Sequence, residues 1–273
     1  MSDRATGPGL RGYTVPRTPT GRASLVPRPP WHYVGDFMVV DYWADPDACV
    51  ALLPEGLEPH PDPGRCAAIF VDWQSCSEGG EELVDPARSQ YREFFIVING
   101  LLDGEEVTTC PFIWVDQDFA LARGWIQGFP KKLGEIWMTR TFGLDVAADP
   151  GRGPGARYGA TCSARGHRIA EMTLTVEGES AEGPRHNAPP LVNVRHFPRL
   201  EAGRHDEPAV HELVRAKSRD RAASAVLEGE ATLALHPAPG EEHDALQPVR
   251  VGRGYRLTFA YTVDDLETVR GYA

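Results

Sequence analysis

The chain has 273 residues, 41% hydrophobic and 25% charged, enough to bury a sizeable core in one large domain or two small ones. Its net charge of −11 argues against nucleic acid or an anionic membrane as the main partner, because both require a basic face. No apolar run approaches the ~20 residues that span a bilayer. The N-terminus lacks the apolar stretch of a signal peptide, and the five cysteines form neither a CxxC pair nor a Cys/His cluster, so a cytoplasmic protein with reduced cysteines is expected.

Residues 1–25 are rich in Gly, Pro, Thr, Ser and Arg. They are expected to form a flexible arm, or a strap on another subunit, ahead of a single domain over 26–273. Segments 36–44 (DFMVVDYWA) and 66–73 (CAAIFVDW) carry the β-branched and aromatic residues of strands. Between them, Asp45-Pro46-Asp47 opens a helix predicted over 46–53. Segments 90–101 and 105–115 flank Asp103-Gly104, a hairpin signal, and 157–164 and 168–177 flank Arg165-Gly166-His167 in the same way. A second helix is predicted over 118–126. Phe119, Ala122, Arg123 and Ile126 share one side of it, with the aliphatic stem of Arg123 completing the stripe. Further strands are expected at 134–143, 190–198, 228–236 and 249–263. Loops are expected at 146–156, 178–189 and the acidic segment 237–246. This pattern defines an α+β, mainly β class: a largely antiparallel barrel or curved sheet with a few helices packed outside.

The stretch GWIQGFPKKLGEIW (residues 124–137) holds two of the chain's three lysines, Lys131 and Lys132, against 25 arginines. Gly128 and Pro130 end the helix, and Pro130 pushes Phe129 into an extended conformation, so a strand begins at or just after Lys131. Alternation on that strand sends the two lysines to opposite faces. An adjacent lysine pair is most often a solvated turn. Here the scarcity of lysine argues otherwise, as does chemistry: a desolvated lysine loses its proton and attacks a carbonyl, whereas arginine stays charged.

Gly128-Phe129-Pro130-Lys131-Lys132-Leu133-Gly134 resembles the Pro-Lys-Lys-Leu-Gly signature of the acetoacetate decarboxylase family. Val26-Pro27-Arg28-Pro29-Pro30-Trp31 is similar to the family's Pro-Arg-x-Pro-aromatic entry, and Pro54-Glu55-Gly56-Leu57-Glu58 to the segment after its first helix. The resemblance runs in order from about residue 26 to 144, and beyond that matches only in style. It implies a cone-shaped antiparallel barrel, usually assembled as a homo-oligomer, in which Lys131 forms a Schiff base. It implies that Lys132 matches the second lysine, long credited with depressing the first. If the two ammonium groups diverge, desolvation of Lys131 carries more of that shift.

Glu93 shares a strand face with Tyr91, Phe95 and Val97; a carboxyl on an apolar face suits general acid/base work. The alternative is an ion pair with an arginine on a neighbouring strand. Tyr-x-Glu is similar to the segment carrying the family's catalytic glutamate. In 255–263 the odd positions are apolar or aromatic, which points Tyr261 inward, either to hold substrate or as a core tyrosine bonded to a carbonyl. Gln127, four residues before Lys131, either holds a carboxylate or hydroxyl or faces water. The family's decarboxylases carry an arginine where gapless alignment puts Asp36, and a further glutamate near which this chain offers only Glu78, Glu81 and Glu82 in an acidic loop. The set Gln127, Lys131, Glu93 and Tyr261 looks more like the family's aldolase-dehydratase branch. The expected function is therefore a Schiff-base lyase that condenses a small 2-oxo acid such as pyruvate with an aldehyde and eliminates water. Decarboxylation of acetoacetate or another β-keto acid is the alternative, and a non-catalytic small-molecule-binding barrel the second. The nine histidines are scattered without HExxH, no G-x-S-x-G elbow is present, and no G-x-G-x-x-G follows a strand, so no metal or other cofactor is expected.

Overall fold

The computed structural model describes residues 9–187 and 189–272. The predicted N-terminal arm lies partly outside this range, at residues 1–8, as does residue 188 of the predicted 178–189 loop. Residues 9–25 form a bridged turn, Arg11 to Thr18, fastened where Thr14 and Ser24 bond each other and Val26.

Alternating apolar residues on both strand faces build two large cores from one sheet, with a third, smaller cluster of Leu57, Leu102, Val107, Val192 and Leu213. The thirteen strands among the described residues are β1 (Trp31–Trp43), β2 (Glu58–Pro59), β3 (Arg65–Ser77), β4 (Gln90–Leu102), β5 (Glu105–Val115), β6 (Lys131–Leu133) and β7 (Glu135–Met138). They continue with β8 (Arg157–Ala164), β9 (His167–Glu179), β10 (Val192–Phe197), β11 (Val210–Ala223), β12 (Leu227–Leu235) and β13 (Arg250–Gly271). On β1, Met38, Val40 and Tyr42 enter one core while Tyr33, Phe37 and Val39 enter the other; β3 and β4 divide their residues likewise. The helices α1 (Pro46–Ala51) and α2 (Asp118–Ile126) are the only α-helices among the described residues. Neither is long and apolar enough to cross a membrane.

The main path runs β6-β5-β4-β3-β1-β13-β12-β9-β8-β7, antiparallel except for the β5–β6 pair. Its two end strands are consecutive in sequence, with Gly134 alone between them. The curved sheet therefore comes round on itself at the lysine pair, without a ladder between β6 and β7. A Cβ at Gly134 would lie 3.1 Å from both Trp114 of β5 and the Ser163 carbonyl of β8, so the seam admits only glycine without displacing one wall.

The expected curved, mainly antiparallel sheet is present. Helix 118–126 and both hairpins stand where the sequence puts them, each hairpin turning on two left-handed residues (Asp103-Gly104 and Arg165-Gly166). The strand expected at 134–143 is shorter. It ends at Met138, and Asp149 then accepts the amides of Phe142, Leu144 and Gly151, which takes those donors out of any ladder. Two features were not anticipated: the charged strand β11, and the continuation of β13 to Gly271, with which β11 pairs.

Candidate active site

Sheet register brings the candidate nucleophile and carboxylate to one face. Phe95 on β4 lies opposite Ile113 on β5, which lies beside Lys131 on β6, and Glu93 is two residues from Phe95 on the same face. The long lysine chain spans the strand between them. Its Nζ donates to Glu93 Oε2 at 2.5 Å, and the two residues are 8% and 5% exposed. Trp73 of β3 donates its indole N–H to the other carboxylate oxygen at 3.2 Å. The wall around Nζ is aromatic, with the rings of Tyr91 and Phe129 centred 5.3 and 5.6 Å away.

Burial pushes the Lys131 ammonium below the ordinary lysine range. Glu93 opposes that shift, and the Arg123 guanidinium reinforces it. Cys110 also faces the pair, but burial, reinforced by Glu93, pushes its thiol well above the usual range and keeps it protonated.

The turn after α2 sets the reach of Lys131. Gln127 caps the helix and Gly128 follows at φ 83°, the left-handed position that ends helices. Phe129 then donates back to the Gly124 carbonyl at 2.9 Å, and the Trp125 indole donates to the Lys131 carbonyl at 2.9 Å. Gln127 turns inward and is buried; its amide approaches the Tyr33 hydroxyl at 3.4 Å. The Tyr33 ring stacks on Tyr261 with centroids 5.0 Å apart. Tyr261 and Glu93 line one inner cavity of about 150 Å³, and Tyr261 and Gln127 line an outer one of about 630 Å³. Burial, reinforced by Tyr33 and Glu93, holds the Tyr261 phenol protonated.

Lys131, Glu93, Gln127 and Tyr261 are therefore brought together, and Lys132 is not. It points to the opposite face, where Glu241 binds its Nζ at 2.5 Å, and its side chain is 43% exposed. Asp36 also turns away, ion-paired with the fully buried Arg256. Glu82 caps Ser77 and Glu78 pairs with His32, both outside the cluster. Sequence reasoning missed Arg123: its stem does complete the helix stripe, but its guanidinium is buried in the site. It lies 4.7 Å above the Tyr33 ring and donates to Ser75 Oγ at 3.1 Å. A helical stripe does not reveal where the end of a long side chain goes; an arginine amid apolar stripe positions was the available signal.

A desolvated lysine against one carboxylate, in an aromatic wall with a buried cation, is the equipment of an enzyme that works through a Schiff base. The acetoacetate decarboxylase family profile matches residues 14–273, so the chain belongs to the acetoacetate decarboxylase family and is an enzyme of the Schiff-base lyase kind. Among solved structures, it is similar to the enduracididine biosynthesis enzyme MppR complexed with the condensation product of pyruvate and imidazole 4-carboxaldehyde. That match has a TM-score of 0.91 and 35% identity, covering 98% of this chain and 100% of that one. An acetoacetate decarboxylase-like enzyme from Sphingomonas wittichii RW1 matches with a TM-score of 0.88 and 29% identity, over 96% of this chain and 100% of the other. An acetoacetate decarboxylase from Legionella pneumophila shares the fold at 19% identity and a TM-score of 0.71, over 90% and 89%. No curated protein matches the chain.

Proposed function

We propose that the protein is an aldolase-dehydratase that joins pyruvate, or a similar small 2-oxo acid, to an aldehyde. Lys131 passes its ammonium proton to Glu93, the free amine attacks the ketone carbon, and Glu93 returns that proton to the hydroxyl that leaves as water, giving an iminium and restoring the carboxylate. Glu93 then takes a proton from the adjacent methyl group to form an enamine. The enamine carbon attacks the aldehyde carbon, and the new alkoxide takes up a proton. Loss of that hydroxyl and a neighbouring hydrogen as water gives the conjugated iminium. Hydrolysis frees Lys131 and the α,β-unsaturated 2-oxo acid, so one water is released overall per pyruvate and aldehyde consumed.

Arg123 and Gln127 supply a fixed cation and an amide for the 2-oxo acid carboxylate, and Tyr261 a phenolic O–H for the developing alkoxide. The observation that carries this reading is the buried pairing of one lysine with one carboxylate, while Asp36 turns out of the site to Arg256. That leaves the cluster without the extra groups the decarboxylases bring. The relative crystallised with a pyruvate–aldehyde condensation product supports it.

The test is borohydride reduction in the presence of pyruvate and, separately, acetoacetate, followed by peptide mass analysis. Pyruvate is expected to add irreversibly at Lys131 and, with an aldehyde added, to yield a conjugated product. No adduct with either ketone would remove the Schiff-base assignment to Lys131 for these substrates. Carbon dioxide release from acetoacetate at an enzymatic rate would assign the chain to decarboxylation instead.

A further inference from the structure

The outer cavity is cationic in a chain that is strongly acidic overall. Three basic residues of β11, Arg215, Lys217 and Arg221, line its wall, and no Asp or Glu among the described residues does. Arg215 is taken up by Glu267 at 2.9 Å. Its neighbour on the strand, Arg219, faces outward and is held by Asp264 at 2.7 Å. Arg221 has no carboxylate partner among the described residues, nor has Lys217, although Lys217 stands across the ladder from Asp265. Arg221 lines both the outer cavity and the inner one that holds Glu93.

The backbone places it there. Arg219 pairs with Thr262 and Ala222 with Ala260, so Asp220 and Arg221 together stand opposite Tyr261. This is a β-bulge, with Asp220 at φ 53°, a left-handed value that is uncommon outside glycine. Without the extra residue, strict alternation would continue from the outward-facing Arg219. With it, Arg221 is turned beside Tyr261, and like Tyr261 it lines both cavities.

We propose that Arg221, assisted by Lys217, binds the anionic end of the aldehyde, so that the second substrate is an aldehyde bearing a carboxylate or phosphate on its far side. This rests on the aldolase-dehydratase reading above. Glu93, which holds Lys131 Nζ, lines the inner cavity of about 150 Å³, where the 2-oxo acid sits and the aldehyde carbonyl meets the enamine. The rest of the aldehyde then extends past Tyr261 and Phe259 into the outer cavity. Arg221 meets it at the threshold, where a charge-assisted hydrogen bond selects an anion. The local cationic wall also offsets the repulsion that a net charge of −11 imposes on an approaching anion.

The experiment compares succinic semialdehyde with its neutral counterpart butanal, each with pyruvate, in the wild type, Arg221→Gln and Arg221→Lys. The wild type is expected to favour succinic semialdehyde. Arg221→Gln is expected to raise its KM roughly 10–100-fold, the effect of losing one charged hydrogen bond, and Arg221→Lys to restore part of the loss. Pyruvate KM, butanal turnover and borohydride trapping of pyruvate at Lys131 are expected to stay within about twofold of wild type in all three proteins. An unchanged preference in Arg221→Gln overturns the proposal, as does a rise confined to pyruvate KM, which would make Arg221 an anchor for the 2-oxo acid. Trapping of pyruvate distinguishes the two levels. A pyruvate adduct together with an aldehyde preference that does not depend on Arg221 removes only this inference, whereas the absence of an adduct removes the aldolase reading and this inference with it.

Discussion

Lys131 and Lys132 are neighbours in the chain, but their ammonium groups are held by carboxylates on opposite sides of β6, Glu93 for the first and Glu241 for the second. Burial does most to depress Lys131, and the Arg123 guanidinium adds to it, while the ammonium of Lys132 is turned away to Glu241. Lys132→Gln is therefore expected to leave the pH dependence of borohydride trapping at Lys131 within about 0.3 units of wild type. It strands Glu241, whose side chain is buried, at a cost of about 1–3 kcal/mol in denaturant unfolding. An alkaline shift of a full unit in the trapping profile would return Lys132 to the role that the family resemblance implies for it.

Two substitutions move the Lys131 profile in opposite directions. Trapping requires the free amine, so it rises with pH through the folded-state pKa of Lys131, which lies below the ordinary lysine range. Glu93 stabilises the ammonium, so Glu93→Gln removes an upward influence and shifts the rise to lower pH. Arg123 destabilises it, so Arg123→Gln shifts the rise to higher pH. Glu93→Gln also removes the proposed proton acceptor, and turnover is expected to fall about 10²–10⁴-fold while trapping persists. The paired measurement, trapping and turnover against pH, fails the assignment if both variants move the same way.

Trp73 fixes the orientation of Glu93, since its indole N–H donates to the oxygen that Lys131 does not use. Gly35 makes room for that indole, because a Cβ there would lie 2.6 Å from both Trp73 Cε3 and Val71 Cγ1. Trp73→Phe keeps an aromatic wall but deletes the donor. It is expected to lower kcat about tenfold with little change in pyruvate KM, while Gly35→Ala is expected to destabilise by about 1–3 kcal/mol through overpacking. A rise in KM without loss of kcat in Trp73→Phe would make the tryptophan a substrate contact and not a support for Glu93.

Much of this architecture was legible because it is encoded locally. Asp103-Gly104 and Arg165-Gly166 supply the left-handed residues that tight hairpins need, and strand alternation alone separated Lys131 from Lys132. The same alternation placed Glu93 on the aromatic face. What was not legible depends on distant parts of the chain. Strand β11 reads as polar because its charges pair across to β13, as Arg215 does with Glu267 and Arg219 with Asp264. The partner of Lys132 lies 109 residues away in a segment read only as an acidic loop. Arg123 satisfied the helix pattern with its stem, so its buried guanidinium became visible only once β1, β3 and β4 surrounded it with Tyr33, Ser75 and Tyr91.

The tightest constraint on the proposed nucleophile comes from a glycine inside a helix. The side chain of Lys131 lies directly on Gly124 of α2, and a Cβ there would overlap Lys131 Cδ and lie 2.6 Å from Cε and 2.7 Å from Cγ. Alanine is otherwise a better helix former than glycine, so local propensity favours Gly124→Ala by about 1 kcal/mol. The site does not. Lys131 is fixed at both ends, by its strand and by Glu93, so the added methyl group must push Nζ away from the carboxylate. A displacement of about 1 Å at a reacting atom costs on the order of 10²-fold in rate. Gly124→Ala is accordingly expected to retain the native circular dichroism spectrum and melt within a few degrees of wild type. Turnover and the rate of pyruvate trapping at Lys131 are both expected to fall about a hundredfold. Full activity in a folded Gly124→Ala protein would mean that Lys131 reacts from a position other than the one Gly124 admits.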